Sequence, residues 1–422
     1  MLFKIRDKSN KIYYYDNITN VLHNVSEETW QKLKQQYLPL QNKGVVKPFD
    51  FNDKKYPFPK KQKHLSFLRI QVGLNCNFKC SFCTQSTGKF ENVPVSNKSH
   101  LDKFWEKFDE ADISLTEKAS IELWGGEPLV YWKTLLILIP EIRRRFPNNP
   151  LSFFTNGTLL TKEKVDFLIK YNVTISVSHD ALGYFLRGED PLKDNKILEI
   201  WKYAKDKYTE NNLPFRINCV LTQYNADLNK VDKFFKDYFG KDVFYRYEGV
   251  VISMFDNCVQ YAEFSKEYSE KLFSTLYEGL KNDHKNITKA IEPRLSNLIR
   301  VITYNYSAEF IPGKCNAMYP DVMTLDLDGN ILDCHNVSPQ YDKIGELPSI
   351  ESCRVDKFKH WSLRKKCSDC IYLASCRGGC SRTSDFFHEK DCVGNTIFHK
   401  AIFYAAFYKI TGNEILDIKN LG

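Results

Sequence analysis

Thirteen cysteines stand in the chain, and most of them fall into two short-spaced groups. The first is Cys76-Asn77-Phe78-Lys79-Cys80-Ser81-Phe82-Cys83, three thiols separated by three residues and then by two. Grouped thiols of this kind are typical of metal ligands. Structural zinc wants four ligands, and no further Cys or His lies within ten residues of this group to close the tetrahedron. Three thiolates on one loop can instead hold three corners of an iron-sulfur cubane. The fourth iron is then open to a small ligand that chelates through an amine and a carboxylate. In the second group Cys315 is followed after thirteen residues by Gly329 and after four more by Cys334. Cys367, Cys370, Cys376 and Cys380 then come at spacings of two, five and three residues, and Cys392 lies eleven residues further on. Thiols this dense in a turn-rich stretch predict a domain built around metal.

Loops that carry ligands need rigid elements behind them. Strand patterns occur at 68–72, 120–124, 151–154, 174–177, 215–221 and 243–247, with helical patterns at 101–109, 131–145, 161–171, 194–207 and 228–238 between them. Six strands alternating with helices predict a parallel α/β domain, an open or closed barrel, whose chemistry sits on loops at the strand carboxyl ends. The first cysteine group follows the first of these strands. Residues 1–65 read as a small N-terminal α+β unit and linker. Short strands are expected at Phe3–Arg6, Ile12–Tyr15 and Val21–Val25, a helix starting at Ser26, and a proline- and lysine-containing linker over 46–63. The barrel occupies 66–255, a helical connector 256–305 and the cysteine-rich domain 306–400, with a closing helix over 401–422. A length of 422 residues with 43% hydrophobic and 14% aromatic residues supplies several cores. The formal charge of +8 is scattered in short runs such as Lys60-Lys61-Gln62-Lys63 and Arg143-Arg144-Arg145, which read as solvated faces rather than a nucleic-acid groove. No apolar run approaches a membrane span and no signal-peptide pattern opens the chain, so a cytoplasmic protein is expected, with its cysteines reduced.

The cysteine spacing with Phe82 before the last thiol resembles the CX3CX2C hallmark of the radical S-adenosylmethionine (SAM) superfamily. Trp124-Gly125-Gly126-Glu127-Pro128, one strand later, is similar to the family's GGEP element, where backbone and glutamate receive the SAM amino group. A Gly-Gly turn lets the main chain approach a ligand closely. Thr155-Asn156-Gly157 resembles the next SAM-facing turn. Ser176-Val177-Ser178-His179-Asp180-Ala181 is close to the S-x-D-G of relatives, with Ala181 replacing the glycine. By that resemblance Ser178 and Arg187 hold the SAM carboxylate, unless they are an ordinary strand-end serine and surface arginine. The second cysteine group reproduces the SPASM signature. Carried over from that family, Cys367, Cys370, Cys376 and Cys392 form one closed auxiliary site. Cys315, Cys334 and Cys380 form another that is one ligand short, since Ser307, Ala308 and Glu309 stand where relatives place the fourth cysteine. Cys353, Cys258 and Cys219 are candidates for it, or else buried free thiols.

The resemblance implies a partial (β/α)6 barrel with a C-terminal SPASM domain, three [4Fe-4S] clusters and SAM. It implies reductive cleavage to a 5'-deoxyadenosyl radical, hydrogen abstraction from a peptide or protein substrate, and an oxidative modification such as a cross-link. An electron donor such as flavodoxin or ferredoxin is implied as a partner. The N-terminal unit reads as a leader-peptide docking element or as a structural cap on the barrel. Sulfatase maturases of the same family place Asp as a base after the cysteine matched by Cys334. Here that residue is His335, either a base or a structural side chain. Modification of a small molecule or nucleoside, and a non-enzymatic iron-sulfur scaffold, are the other classes left open.

Overall fold

A computed structural model describes residues 1–36, 60–85, 96–252, 260–308, 313–355 and 357–421. The strands are β1 (Leu2–Asp7), β2 (Ile12–Asp16), β3 (Leu22–His23), β4 (His64–Gly73), β5 (Ser114–Gly125), β6 (Leu151–Thr155), β7 (Val173–Ser178), β8 (Phe215–Leu221), β9 (Tyr245–Val250), β10 (Val322–Asp326), β11 (Asn330–Leu332), β12 (Lys343–Glu346) and β13 (Ile415–Asn420). Strands β4 to β9 pair in parallel in chain order, each joined to the next by helix-bearing segments. That is the α/β core expected from the alternation of periods. Leu68, Ile70 and Val72 of β4 enter the main core, while Arg69 and Gln71 alternate onto the opposite face.

The sheet does not end with the barrel strands. Its order is β12-β11-β10-β4-β5-β6-β7-β8-β9, nine strands, because β10 pairs in parallel with β4 from Val322↔Phe67 to Asp326↔Gln71. The cysteine-rich region is thus built onto the strand that carries the first cysteine loop. Helices Lys266–Lys281 and Lys285–Thr303 follow β9.

The closing segment departs from expectation. A helix spans Asp385–Thr411, stops at Gly412 with φ +73°, and is followed by β13 rather than by more helix. Strand β13 pairs antiparallel with β1, giving a second sheet of order β13-β1-β2-β3. The N-terminal unit is therefore completed by the chain's last strand. It packs through Tyr13 and Tyr15 on Phe407 and Phe403 of the long helix. Asn17 Nδ2 donates to the carbonyls of Ser368 and Cys370 at 2.8 and 2.9 Å. These contacts cap the cysteine-rich region rather than the barrel.

Of the expected linker, 46–59 lies outside the described residues. Lys61 is not part of a solvated face. It is buried, and its Nζ donates to the carbonyls of Ala317, Tyr319 and Val322 at 2.6, 3.0 and 2.8 Å. Arg143 likewise spends its guanidinium on the Tyr171, Asn149 and Asn172 carbonyls.

Candidate active site

The loop of Cys76, Cys80 and Cys83 leaves the carboxyl end of β4 and is held from several sides. Gly126 N donates to Gly73 O at 3.0 Å and Glu127 N to Asn75 O at 2.9 Å, while the Tyr131 hydroxyl accepts from Asn75 N at 2.8 Å. A Cβ on Gly125 would lie 2.4 Å from Gly73 O, and one on Gly126 2.4 Å from Asn75 O. The two glycines are thus required by the close approach of this turn to the chain leading into the cluster loop, not by a ligand alone.

Glu127 is also committed more deeply than its expected role. It is buried, and its carboxylate accepts from Leu129 N at 3.0 Å, Thr155 Oγ1 at 2.7 Å and Asn156 N at 2.7 Å. Burial pushes the carboxyl above its usual range, and those donors oppose the shift. Pro128 starts the short turn that Glu127 caps. Asn156 Nδ2 reaches Asn77 Oδ1 at 2.8 Å, so the GGEP turn, the Thr155-Asn156-Gly157 turn and the cluster loop form one hydrogen-bonded unit.

Arg187 lies over the Phe82 ring at 5.1 Å and is clamped in bidentate fashion by Asp180 at 2.6 and 3.1 Å. It is not a surface side chain. Asp180 is buried and also accepts Val220 N at 2.8 Å. Ser178 ends β7, half-buried, in register with Asn218. Ala181 adopts φ +48°, the left-handed region that explains the glycine of relatives. Its amide donates to His179 Nδ1 at 3.0 Å, and His179 Nε2 meets Asp190 at 3.0 Å. Asp180, His179 and Asp190 were missed as site supports. The φ demand at Ala181 was the signal available.

The remaining cysteines sort into two sets. Burial, then the charges of Cys376, Cys392 and Cys370, push Cys367 up to about 12. Cys392 is pushed up to about 12 by burial and by Cys376 and Cys370. Cys334 is raised by burial and by Cys315 and Cys380, and Cys315 by burial and Cys380. The first loop behaves alike, with Cys76 pushed up to about 11 by burial and by the charges of Glu127, Cys80 and Cys83. Neither described candidate for a fourth ligand joins Cys315, Cys334 and Cys380. Cys219 is buried in the barrel against Asn225, and Cys353 bonds Ser349 O, while Cys258 lies outside the described residues.

Among the described residues no three His, Cys, Asp or Glu side chains converge as a single metal ion requires. The surroundings of the two C-terminal sets do fit larger sulfur-bearing groups. Trp361 Nε1, Arg364 Nε and Arg382 Nε are buried donors without a protein acceptor. Trp361 packs on Cys367, and the charges of Arg364 and Arg382 act on Cys367 and Cys334 respectively. Orphaned buried N–H groups are costly, and cluster sulfur accepts such bonds.

His335 sits where the two regions meet. Arg69 pairs with Glu122 on one side and donates to His335 Nδ1 at 3.1 Å on the other. The His335 ring lies edge-on to Trp124 at 4.4 Å, and its carbonyl accepts from Gln71 at 3.0 Å. Arginine only donates, so Nδ1 is the acceptor and the neutral ring carries its proton on Nε2. Burial and the Arg69 charge hold the imidazole well below its usual range. The geometry makes His335 a donor rather than the base considered from the sequence.

Comparison with known proteins agrees with this assembly. Residues 70–235 match the radical SAM superfamily model. The radical SAM cyclopropyl synthase TigE of Paramaledivibacter caminithermalis is 24% identical over 75% of this chain and 68% of its own length. The serine-type anaerobic sulfatase-maturating enzyme of Bacteroides thetaiotaomicron is 26% identical over 74% of this chain and 83% of its own length. GTP 3',8-cyclase of Campylobacter lari is 31% identical, but over 31% of this chain and 40% of its own length. The solved structure of anSMEcpe with bound AdoMet shares the fold, with TM-score 0.62 at 18% identity over 82% of this chain and 95% of that one. The same fold is seen with AdoMet and the Kp18Cys peptide bound, at TM-score 0.60. The chain thus carries a radical SAM domain over residues 70–235, and along about three quarters of its length it is similar to a sulfatase-maturating enzyme and shares the fold of anSMEcpe.

Proposed function

We propose that this enzyme abstracts hydrogen from a peptide or protein substrate and leaves an oxidative modification such as a cross-link, using three [4Fe-4S] clusters. When bound, SAM and the first cluster supply a 5'-deoxyadenosyl radical, and the auxiliary clusters supply sites for the electron left on the product. Cys76, Cys80 and Cys83 hold the first cluster. Cys367, Cys370, Cys376 and Cys392 hold one auxiliary cluster, and Cys315, Cys334 and Cys380 hold the other. Glu127 locks the GGEP turn to Asn156, and Arg187, kept in place by Asp180, presents a cation beside Phe82 for the SAM carboxylate, with Ser178 as a second donor. His335 offers an Nε2–H to a substrate acceptor such as a peptide carbonyl. A low-potential donor such as flavodoxin or ferredoxin, in a reducing compartment such as the cytoplasm, completes the system.

The observation that carries this reading is the pairing of β10 with β4, which sets the strand leading to Cys334 beside the strand leading to Cys76 and brings His335 against Trp124. Similarity to a sulfatase-maturating enzyme over three quarters of the chain, and the fold shared with anSMEcpe bound to a peptide, support a peptide or protein substrate. The cyclase match, over 31% of this chain, favours the second reading, a nucleoside or other small molecule as substrate. The test is anaerobic reduction with SAM and a co-expressed candidate peptide. Deoxyadenosine together with a peptide that has lost hydrogen is the expected result, whereas turnover of nucleosides and no peptide would overturn it.

A further inference from the structure

One residue touches both auxiliary cysteine loops. Arg364 has 2% of its surface exposed. Its Nη2 donates to Cys380 O at 2.9 Å and to Thr383 O at 2.9 Å. Its own carbonyl accepts from Cys367 N at 3.3 Å, so its backbone belongs to one loop and its guanidinium to the other. Nε is buried and has no protein acceptor. A carboxylate stands near the guanidinium, Asp385 at 3.5 Å from Nη1, itself exposed and shared with Lys359. Other charged or titratable groups acting on Arg364 are the thiols Cys367, Cys376, Cys380 and Cys392 and the imidazole of His388. Burying a guanidinium with so little compensation is expensive unless anionic groups face it.

We propose that Arg364 is a positioning residue common to both auxiliary clusters: its guanidinium fixes the Cys367 and Cys380 loops to each other and stabilises the added negative charge when either cluster takes an electron. The inference rests on the assignment of those two cysteine sets to clusters. Hydrogen bonds and nearby charge set cluster reduction potentials, so one cation shared by two sites raises both together. Asp385 offsets part of that effect from the rim.

The experiment is an EPR-monitored redox titration of the fully reconstituted protein and of R364Q, R364K and D385N. In R364Q both auxiliary potentials are expected to move to more negative values while the first cluster's potential stays. R364K, which keeps the charge without the fork, is expected to lie between R364Q and the parent. In D385N the shift is expected in the opposite direction, and this surface variant gives a reading even if R364Q loses iron. Unchanged auxiliary potentials in both D385N and whichever Arg364 variant retains iron would overturn the proposal while leaving the cluster assignment intact. Absence of any auxiliary signal from the parent protein would overturn the cluster assignment and this proposal together.

Discussion

The two cysteine regions solve the same problem in opposite ways. Around Cys76, Cys80 and Cys83 the loop's own supports are paired: Glu127, Thr155, Asn156, Asn77 and Tyr131 close a hydrogen-bonded unit that exists without any bound group, although the Tyr184 hydroxyl nearby has no partner among the described residues. Around the C-terminal sets the protein leaves Trp361, Arg364 and Arg382 with buried donors unmet. A loop that must release and rebind SAM at each turnover benefits from a scaffold that does not depend on the ligand. A domain whose clusters stay in place can make them part of its folding energy. The contrast predicts a barrel site that is preorganised and a SPASM-type region that depends on its clusters for its fold.

Removing iron should break that comparison most visibly. Each stranded donor costs about 1–3 kcal/mol, so chelated protein is expected to lose amide-exchange protection across 357–392 while β5 to β8 keep theirs. Equal loss in both regions would refute the contrast. Next in size are the single-cysteine replacements. Cys80→Ala should abolish deoxyadenosine formation, since the first cluster has three protein thiolates. Cys376→Ala should still form deoxyadenosine but lose modified product, and chromatography of both products reads the difference. Glu127→Ala strands the amides of Leu129 and Asn156 and the Thr155 hydroxyl. A stability loss on the order of 3 kcal/mol, with weaker SAM binding and unchanged iron content, is expected from denaturant titration and equilibrium binding. A Glu127→Ala protein of full stability with normal SAM affinity would show that the latch is idle.

The smallest effect is a pH dependence at the His179 support. Burial holds this imidazole below its ordinary value of about 6.5, so the unfolded chain binds the proton first. Its folded-state pKa is depressed, so stability is fully present above about 6.5 and falls as pH drops below it, by up to about 1.4 kcal/mol per pH unit. His179→Gln should flatten that slope between about pH 6.5 and 5, measured as the denaturation midpoint against pH. An unchanged slope would place the acid sensitivity elsewhere.

The periodicity of the sequence determined the six barrel strands and their helices, because a period of 2 or 3.6 is a local property that needs no partner. Cysteine spacing likewise pointed to the two groups of thiols, since residues on one loop are close by connectivity, while the sorting of the second group into two sets came from the family resemblance. Contacts between distant segments were beyond its reach. Pairing of β10 with β4, and of β13 with β1, joins residues more than two hundred positions apart, and the stop at Gly412 was the one local signal of the second. Partner choice inside the site was hidden for the same reason. Glu127 serves Asn156, Arg187 belongs to Asp180, Lys61 is buried under three carbonyls, and His335 is fixed as a donor by Arg69. Those roles depend on which donors and acceptors burial brings face to face, and that was decided by the tertiary structure, where each buried polar group must find its partner.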